Sequence, residues 1–234
     1  MPMIVTARRM LIGVALLLTA LGTGTASAET TGQQRVVERA RLALDSFLDD
    51  PNFADMRVYV QNAYAVLIVP EMLKAGFFFG GEHGVGVLLV RNPQTGTWGH
   101  PAFYDLFGGS FGLQFGGQSS DVVFTIMNEG AVGQLVESKV KMKFEADAGL
   151  AVGRVGASVG AGTTTHFGED LYVFAKSKGL YGGVALDSTV IVPKHDWNQA
   201  YYGREVDPAT VVRAPGQQVA SAGVDALHAS LTRF

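Results

Sequence analysis

Residues 171–204 read LYVFAKSKGLYGGVALDSTVIVPKHDWNQAYYGR, and the reading of this stretch decides the fold class. In its first part Tyr172 and Phe174 fall on one side of a strand, while Leu171, Val173 and Ala175 fall on the other. Lys176-Ser177-Lys178-Gly179 then predicts a basic break, with Gly179 free to take a positive φ. A second strand is expected after it, with Leu180, Val184, Leu186, Val190 and Val192 on one face. Small or polar Gly183, Ala185, Asp187 and Thr189 lie on the other. Pro193 stops that strand, and residues 195–202 predict a short helix capped by Gly203. Two strands around a paired-lysine turn, closed by an aromatic-rich helix, make a candidate site for an anion.

Working outward, the same alternation recurs along the chain. Residues 65–69 predict a buried strand ended by Pro70, and 85–90 a second apolar strand leading to turn residues 92–96. The stretch 108–128 predicts two strands split at 116–120, and 129–137 a helix through Ala131, Val132, Leu135 and Val136. Val140, Met142 and Phe144 alternate with Lys139, Lys141 and Lys143, a half-buried strand with a lysine ladder facing outward. Residues 148–162 are glycine-rich with β alternation.

Helical spacing appears at 33–50, where Val36, Val37, Ala40, Ala43, Leu44, Phe47 and Leu48 line one face. Its arginines lie towards the N-terminal half and its aspartates towards the C-terminal end. That polarity opposes the helix dipole, so packing must hold the helix. Such a helix lies on its own sheet or on a membrane surface. Pro51 ends it, and a second short helix is expected over 52–63 with Asn52 as cap. Residues 215–234 predict a tail that is weakly helical or disordered.

The N-terminus reads as an address. Arg8 and Arg9 precede an apolar run at 10–21, too short for the roughly 20 residues of a spanning helix. Ala26-Ser27-Ala28 forms an A-x-A cleavage site, so residues 1–28 are expected to be a signal peptide. The chain has no cysteine, hence neither a lipid-attachment cysteine nor disulfides. A periplasmic or secreted bacterial protein, peripheral to a membrane and not a lipoprotein, is the expectation. Cleavage leaves 206 residues carrying 16 basic against 21 acidic groups, a net charge of −5. That length suits one domain, here residues 29–214, and the charge gives no reason to expect nucleic acid.

Catalytic and metal motifs are weak. Gly108-Gly109-Ser110-Phe111-Gly112 and Gly156-Ala157-Ser158-Val159-Gly160 both match G-x-S-x-G, but 30 glycines make chance matches expected. The elbow needs a helix after the serine, whereas Leu113 and Phe115 continue a β alternation. His83, His100, His166, His195 and His228 are scattered, with no metal-ligand spacing; Glu82-His83 is an adjacent pair whose members point apart on a strand. No enzyme activity, metal or cofactor is implied.

The order KAGFFFGGEHGVGVLLVR at 74–91, then Trp98, GGSFGLQFGGQSSD at 108–121, AKSKGLYGGVAL at 175–186 and NQAYYGR at 198–204 resembles the SYLF domain family. The resemblance covers about residues 34–212. Its most specific pieces are Ala75-Gly76-Phe77, Phe111-Gly112 with Gln114, Ser177-Lys178-Gly179-Leu180 and Tyr202-Gly203-Arg204. It implies phospholipid binding, with phosphoinositides as ligands in eukaryotic members and actin in some fungal ones. A bacterial periplasm holds neither, so anionic lipid binding is the part that carries over.

The fold expected is a single α+β domain, a curved, mostly antiparallel, glycine-rich sheet or partial barrel packed with a few short helices. The function expected is non-enzymatic binding of anionic phospholipid at the periplasmic face of a membrane. The headgroup-binding residues expected are Lys176, Ser177, Lys178 and Gly179, with Lys139, Lys141 and Lys143. The alternatives are an envelope scaffold contacting protein and a small outer-membrane β-barrel. The barrel fits a terminal Phe234, but Thr232, Ser230 and His228 stand where its last strand needs apolar residues.

Overall fold

A computed structural model of the chain describes residues 30–76, 79–111, 116–137, 142–143, 150–151, 163–167, 171–178, 189–213 and 222–234. The signal peptide expected at 1–28 lies outside them, as do Lys139, Lys141, Gly179 and Ser158. Residues 32–234 form one compact unit.

Among the described residues nine strands make one sheet: β1 (Ala65–Gly76), β2 (Phe79–Val90), β3 (Ala102–Phe111), β4 (Gly116–Ile126), β5 (Met142–Lys143), β6 (Leu150–Ala151), β7 (Thr163–Phe167), β8 (Leu171–Lys178) and β9 (Val190–Pro193). Their order is β5-β9-β3-β2-β1-β4-β8-β7-β6, every pair antiparallel, and the sheet is open. The helices are α1 (Gly32–Leu48), α2 (Met56–Asn62), α3 (Glu129–Glu137), α4 (His195–Tyr202), α5 (Pro208–Arg213) and α6 (Ala222–Thr232). The α+β expectation holds.

The sheet is buried on both faces along its central strands. On one face Leu67, Val69, Leu88, Tyr104, Leu106, Val122, Phe124 and Val173 pack with Val132, Leu135 and Val136 of α3 and Val211 and Val212 of α5. On the other, Val66, Ile68, Val87, Leu89, Phe103, Val123 and Phe174 pack with the apolar stripe of α1, with α2 and with α6. The split within β8 follows the pleat: Leu171, Val173 and Ala175 take the first face, Tyr172 and Phe174 the second. Helix α1 therefore lies on its own sheet, through Val37, Ala40, Ala43, Leu44 and Phe47.

Four local expectations are corrected. Pro70 does not end β1, which runs on to Gly76. The register shifts between Val69 and Met72, a bulge that accommodates the missing N–H, and Glu71 takes φ 62° there. The glycines at 116 and 117 do not break a strand but open β4, paired to Gly76 and Ala75. The face of β9 is reversed: Ile191, opposite buried Leu106, is the core residue, while Val190 and Val192 are half-buried. Asn52 caps no helix: Asp50 caps a 3-10 turn, and α2 starts after Asp55 with no side-chain capping bond. The Asp50 carboxylate accepts the Asn52 N–H at 3.0 Å and starts this short turn over Pro51–Phe53. Where the tail was expected, α6 buries Val224, Leu227 and Leu231, followed by Phe234.

Helix α4 spans the residues expected of it, and Gly203 caps it in the left-handed region at φ 66°. Among the described residues no helix is long and apolar enough to cross a membrane.

Candidate functional site

Lys176, Ser177 and Lys178 are strand, not turn. They complete the ladder between β8 and β4, opposite Asp121, Ser120 and Ser119. Strand alternation then separates them. Ser177 lies on the α3 face, where Gln118 Nε2 donates to its Oγ at 2.8 Å and Ser120 Oγ is 3.2 Å away. Lys176 takes the α1 face, and Lys178 follows two register positions further along the same strand.

Lys176 is already engaged there. Its ammonium sits 2.9 Å from the Asp50 carboxylate and donates to the Ser46 carbonyl at 2.9 Å. This fastens the C-terminal end of α1 to β8. A hydrogen bond from Lys176 holds the Asp50 carboxyl below the usual range; partial burial opposes it, and the Asn52 N–H adds to it.

Beyond this fastening the described helices no longer cover the α1 face. Phe103, Val87 and Ile68 are fully buried beneath it, but further along the same strands Leu73 is 57% exposed and Phe107 46%. The ladders place these two in one row across the sheet. Lys143 on β5 is opposite Val190 on β9, Val190 opposite Phe107, Phe107 opposite His83, His83 opposite Leu73, Leu73 opposite Ser119, and Ser119 opposite Lys178. Residues directly opposite in a ladder share a face, so this row starts and ends in a lysine. Six inter-strand steps separate the two, roughly 29 Å along an uncurled sheet.

In the middle of the row the His83 ring stacks on Phe107 with centroids 4.9 Å apart. His83 Nε2 lies 3.3 Å from Asp105 Oδ1, and Lys194 donates to Asp105 Oδ2 at 2.8 Å. The adjacent Glu82 is buried on the opposite face, where Thr189 donates to it at 2.7 Å. Glu82 and His83 do point apart.

At the other end of these strands, the β2–β3 connection borders a cleft of about 290 Å³ lined by Tyr64, Arg91, Trp98, His100 and Glu129. Arg91 stacks over Trp98 at 4.4 Å and donates to the Val60 and Gln61 carbonyls that end α2. Burial depresses the His100 pKa, and His228 adds to the effect. Arg91 is occupied as a helix cap, so the cleft reads as structural.

Ser110 of the G-x-S-x-G match pairs with Gly80 inside the β2–β3 ladder, which is not an elbow. Among the described residues no three metal-ligating side chains gather. The sequence reading missed Leu73, His83 and Phe107, because only the register of β1, β2 and β3 aligns them. Of the seven residues it named, the structure brings Lys143 and Lys178 into one row, sets Ser177 on the other face and engages Lys176.

The architecture is a bulged antiparallel sheet with helices on both faces and one margin whose register row ends in lysines. The family whose model is described as Ysc84, Las17-binding protein actin regulator, matches residues 107–234, more than half of the chain. The chain belongs to this SYLF family. It is 29% identical over 164 residues to an SH3 domain-containing protein of Schizosaccharomyces pombe, covering 69% of this chain and 37% of that protein. It is 30% identical over 147 residues to Protein YSC84 of Saccharomyces cerevisiae, covering 62% and 31%. It is 27% identical over 139 residues to SH3 domain-containing YSC84-like protein 1 of Xenopus laevis, covering 59% and 41%. The chain thus spans well under half the length of these curated relatives. No solved structure matches.

Proposed function

We propose that this domain binds anionic phospholipid at a membrane surface, without catalysis, through the open margin of its sheet. The observation that carries the reading is the register placing Lys143 and Lys178 in one row on one face. Near an anionic bilayer each lysine contributes about 1 kcal/mol, and two that lie in one plane add. Lys139 and Lys141 belong to the same proposal through the sequence ladder. Lys176 acts indirectly, by fixing the end of α1 beside Lys178. The signal-like N-terminus supports placing this surface at the periplasmic face of a membrane.

The test is co-sedimentation of the mature chain with phosphatidylglycerol-rich vesicles, phosphatidylcholine vesicles serving as control. Replacing Lys143 and Lys178 by alanine should weaken anionic binding by about 5- to 30-fold and leave neutral binding unchanged. Equal binding by parent and variant at low salt would remove the lysines from the account.

A second reading has its own support. Relatives of this chain carry the name LAS seventeen-binding protein 3, and the family description names a protein partner. The same margin then contacts protein, and vesicles of either charge should leave the chain in the supernatant.

A further inference from the structure

The lysine-ended row carries two exposed apolar residues, Leu73 and Phe107, on either side of the half-exposed His83. Leu73 and Phe107 are the large hydrophobic residues left open on this face of β1 and β3, at 57% and 46%. The next row outward is almost without side chains. Ala75 stands opposite Gly81 on one side and Gly117 on the other, and Gly81 stands opposite Gly109. A Cβ built on Gly81 meets nothing within 4 Å, and one on Gly117 meets only the Lys74 carbonyl at 4.0 Å. Two bulky apolar groups therefore rise at the border of a bare, shallow floor. One row further still, Phe79 pairs with Phe111.

We propose that this margin enters the bilayer, with Leu73 and Phe107 reaching the acyl region while the row-end lysines stay among the headgroups. The inference rests on the lipid-binding reading above. The occupant is lipid rather than a second protein because the row places cations on either side of the apolar centre. An interface between anionic headgroups and acyl chains complements that arrangement. The floor of Ala75, Gly81 and Gly117 leaves room for the glycerol region of a lipid to lie against backbone. His83, stacked on Phe107 and beside Asp105, holds the aromatic ring in place from the polar side. Insertion makes two demands that headgroup contact alone does not: an apolar contribution that persists when salt screens the lysines, and direct contact with acyl chains.

Phe107→Trp in the mature chain reports the second. With phosphatidylglycerol–phosphatidylcholine vesicles carrying bromine on the acyl chains, the indole at position 107 should be quenched several-fold more than the parent's own tryptophans. Trp98 is only 8% exposed and Trp197 is half-buried against the α1-side core, and together they set the parent background from which the signal at position 107 is read. Quenching no greater than the parent's, with co-sedimentation intact, overturns insertion and leaves the lipid-binding reading standing. Failure of the parent to co-sediment at low salt sinks both. Leu73→Asp with Phe107→Asp reports the first demand: vesicle binding at 0.5 M salt should fall by about tenfold, with unchanged thermal melting as the check on folding. If that variant instead converts a dimer to a monomer in analytical ultracentrifugation while binding vesicles normally, the margin is a self-association face and the proposal is wrong.

Discussion

Lys176 shows how a residue that looks functional in sequence can also carry a structural contact. An exposed lysine contributes little to stability, but this one bridges Asp50 and the Ser46 carbonyl at the end of α1. Lys176→Ala should therefore lower stability by about 1–2 kcal/mol, roughly 3–6 °C in Tm, read by chemical and thermal denaturation. Arg39, paired with Glu71 while both remain about half exposed, is the contrast. Arg39→Ala should cost less than about 1 kcal/mol. The Lys176 effect is also pH-dependent. Asp50 has a folded pKa below its unfolded value of about 3.9, so its contribution is present above that value and lost as pH falls through the folded pKa. The stability gap between parent and Lys176→Ala should hold constant from about pH 7 to pH 5 and shrink below about pH 4. A gap that widens on acidification would contradict the pairing.

Gly108 makes the same point on the opposite face. A Cβ there would lie 2.0 Å from Glu82 Oε1, because the Glu82 side chain crosses β3 at this position to reach Thr189, the residue just before β9. Gly108→Ala should cost about 1–3 kcal/mol by forcing a buried carboxylate off its hydroxyl partner. Vesicle binding should be unaffected, since the open margin is on the other side of the sheet. Loss of binding with unchanged melting would move the lipid site to the Glu82 face.

Among the elements, legibility in the sequence followed the strength of the local signal. Helix α4 was readable to the residue because Pro193 precedes it and Gly203 follows it in the left-handed region. Helix α3 was equally clear from its apolar spacing. The strands were readable as strands, and the two faces of β8 were assigned correctly from the pleat. Their ends were not, because sheet pairing overrode local punctuation. Pro70 sits in a bulge, and Gly116 and Gly117 are held by their partners in β1. The face of β9 was misread because its neighbours decide it: Leu106 on β3 sets Ile191 inward. Helix α6 was legible only as a tail either weakly helical or disordered, not as a packed element. Its composition is weakly patterned, and packing on α1 orders it, with Ser230 and Arg233 donating to Asp45 at 2.8 Å each. Ending the chain before residue 222 removes Val224, Leu227, Leu231 and Phe234 from the core. At about 1.5–3 kcal/mol for each large side chain, that approaches the whole stability of a domain. The truncated chain should lose its cooperative thermal transition; a sharp melt within a few degrees of the parent would show α6 to be dispensable.

For the whole molecule, the candidate site was only partly legible. Sequence alone gave lysines and a family, and both pointed to anionic lipid. It did not reveal which lysines share a surface, because that depends on the order β5-β9-β3-β2-β1-β4-β8 and its register. Nor did it reveal that the described helices end short of the sheet, leaving Leu73, His83 and Phe107 uncovered. Hydrogen–deuterium exchange of residues 29–234, alone and with phosphatidylglycerol-rich vesicles, tests the proposal that this open margin is the membrane-binding surface. Vesicles should slow exchange in peptides covering residues 71–84 and 104–111, and leave those covering α2 and α6 unchanged. Protection confined to the α1 and α6 peptides, or none at vesicle concentrations that sediment the protein, would contradict it.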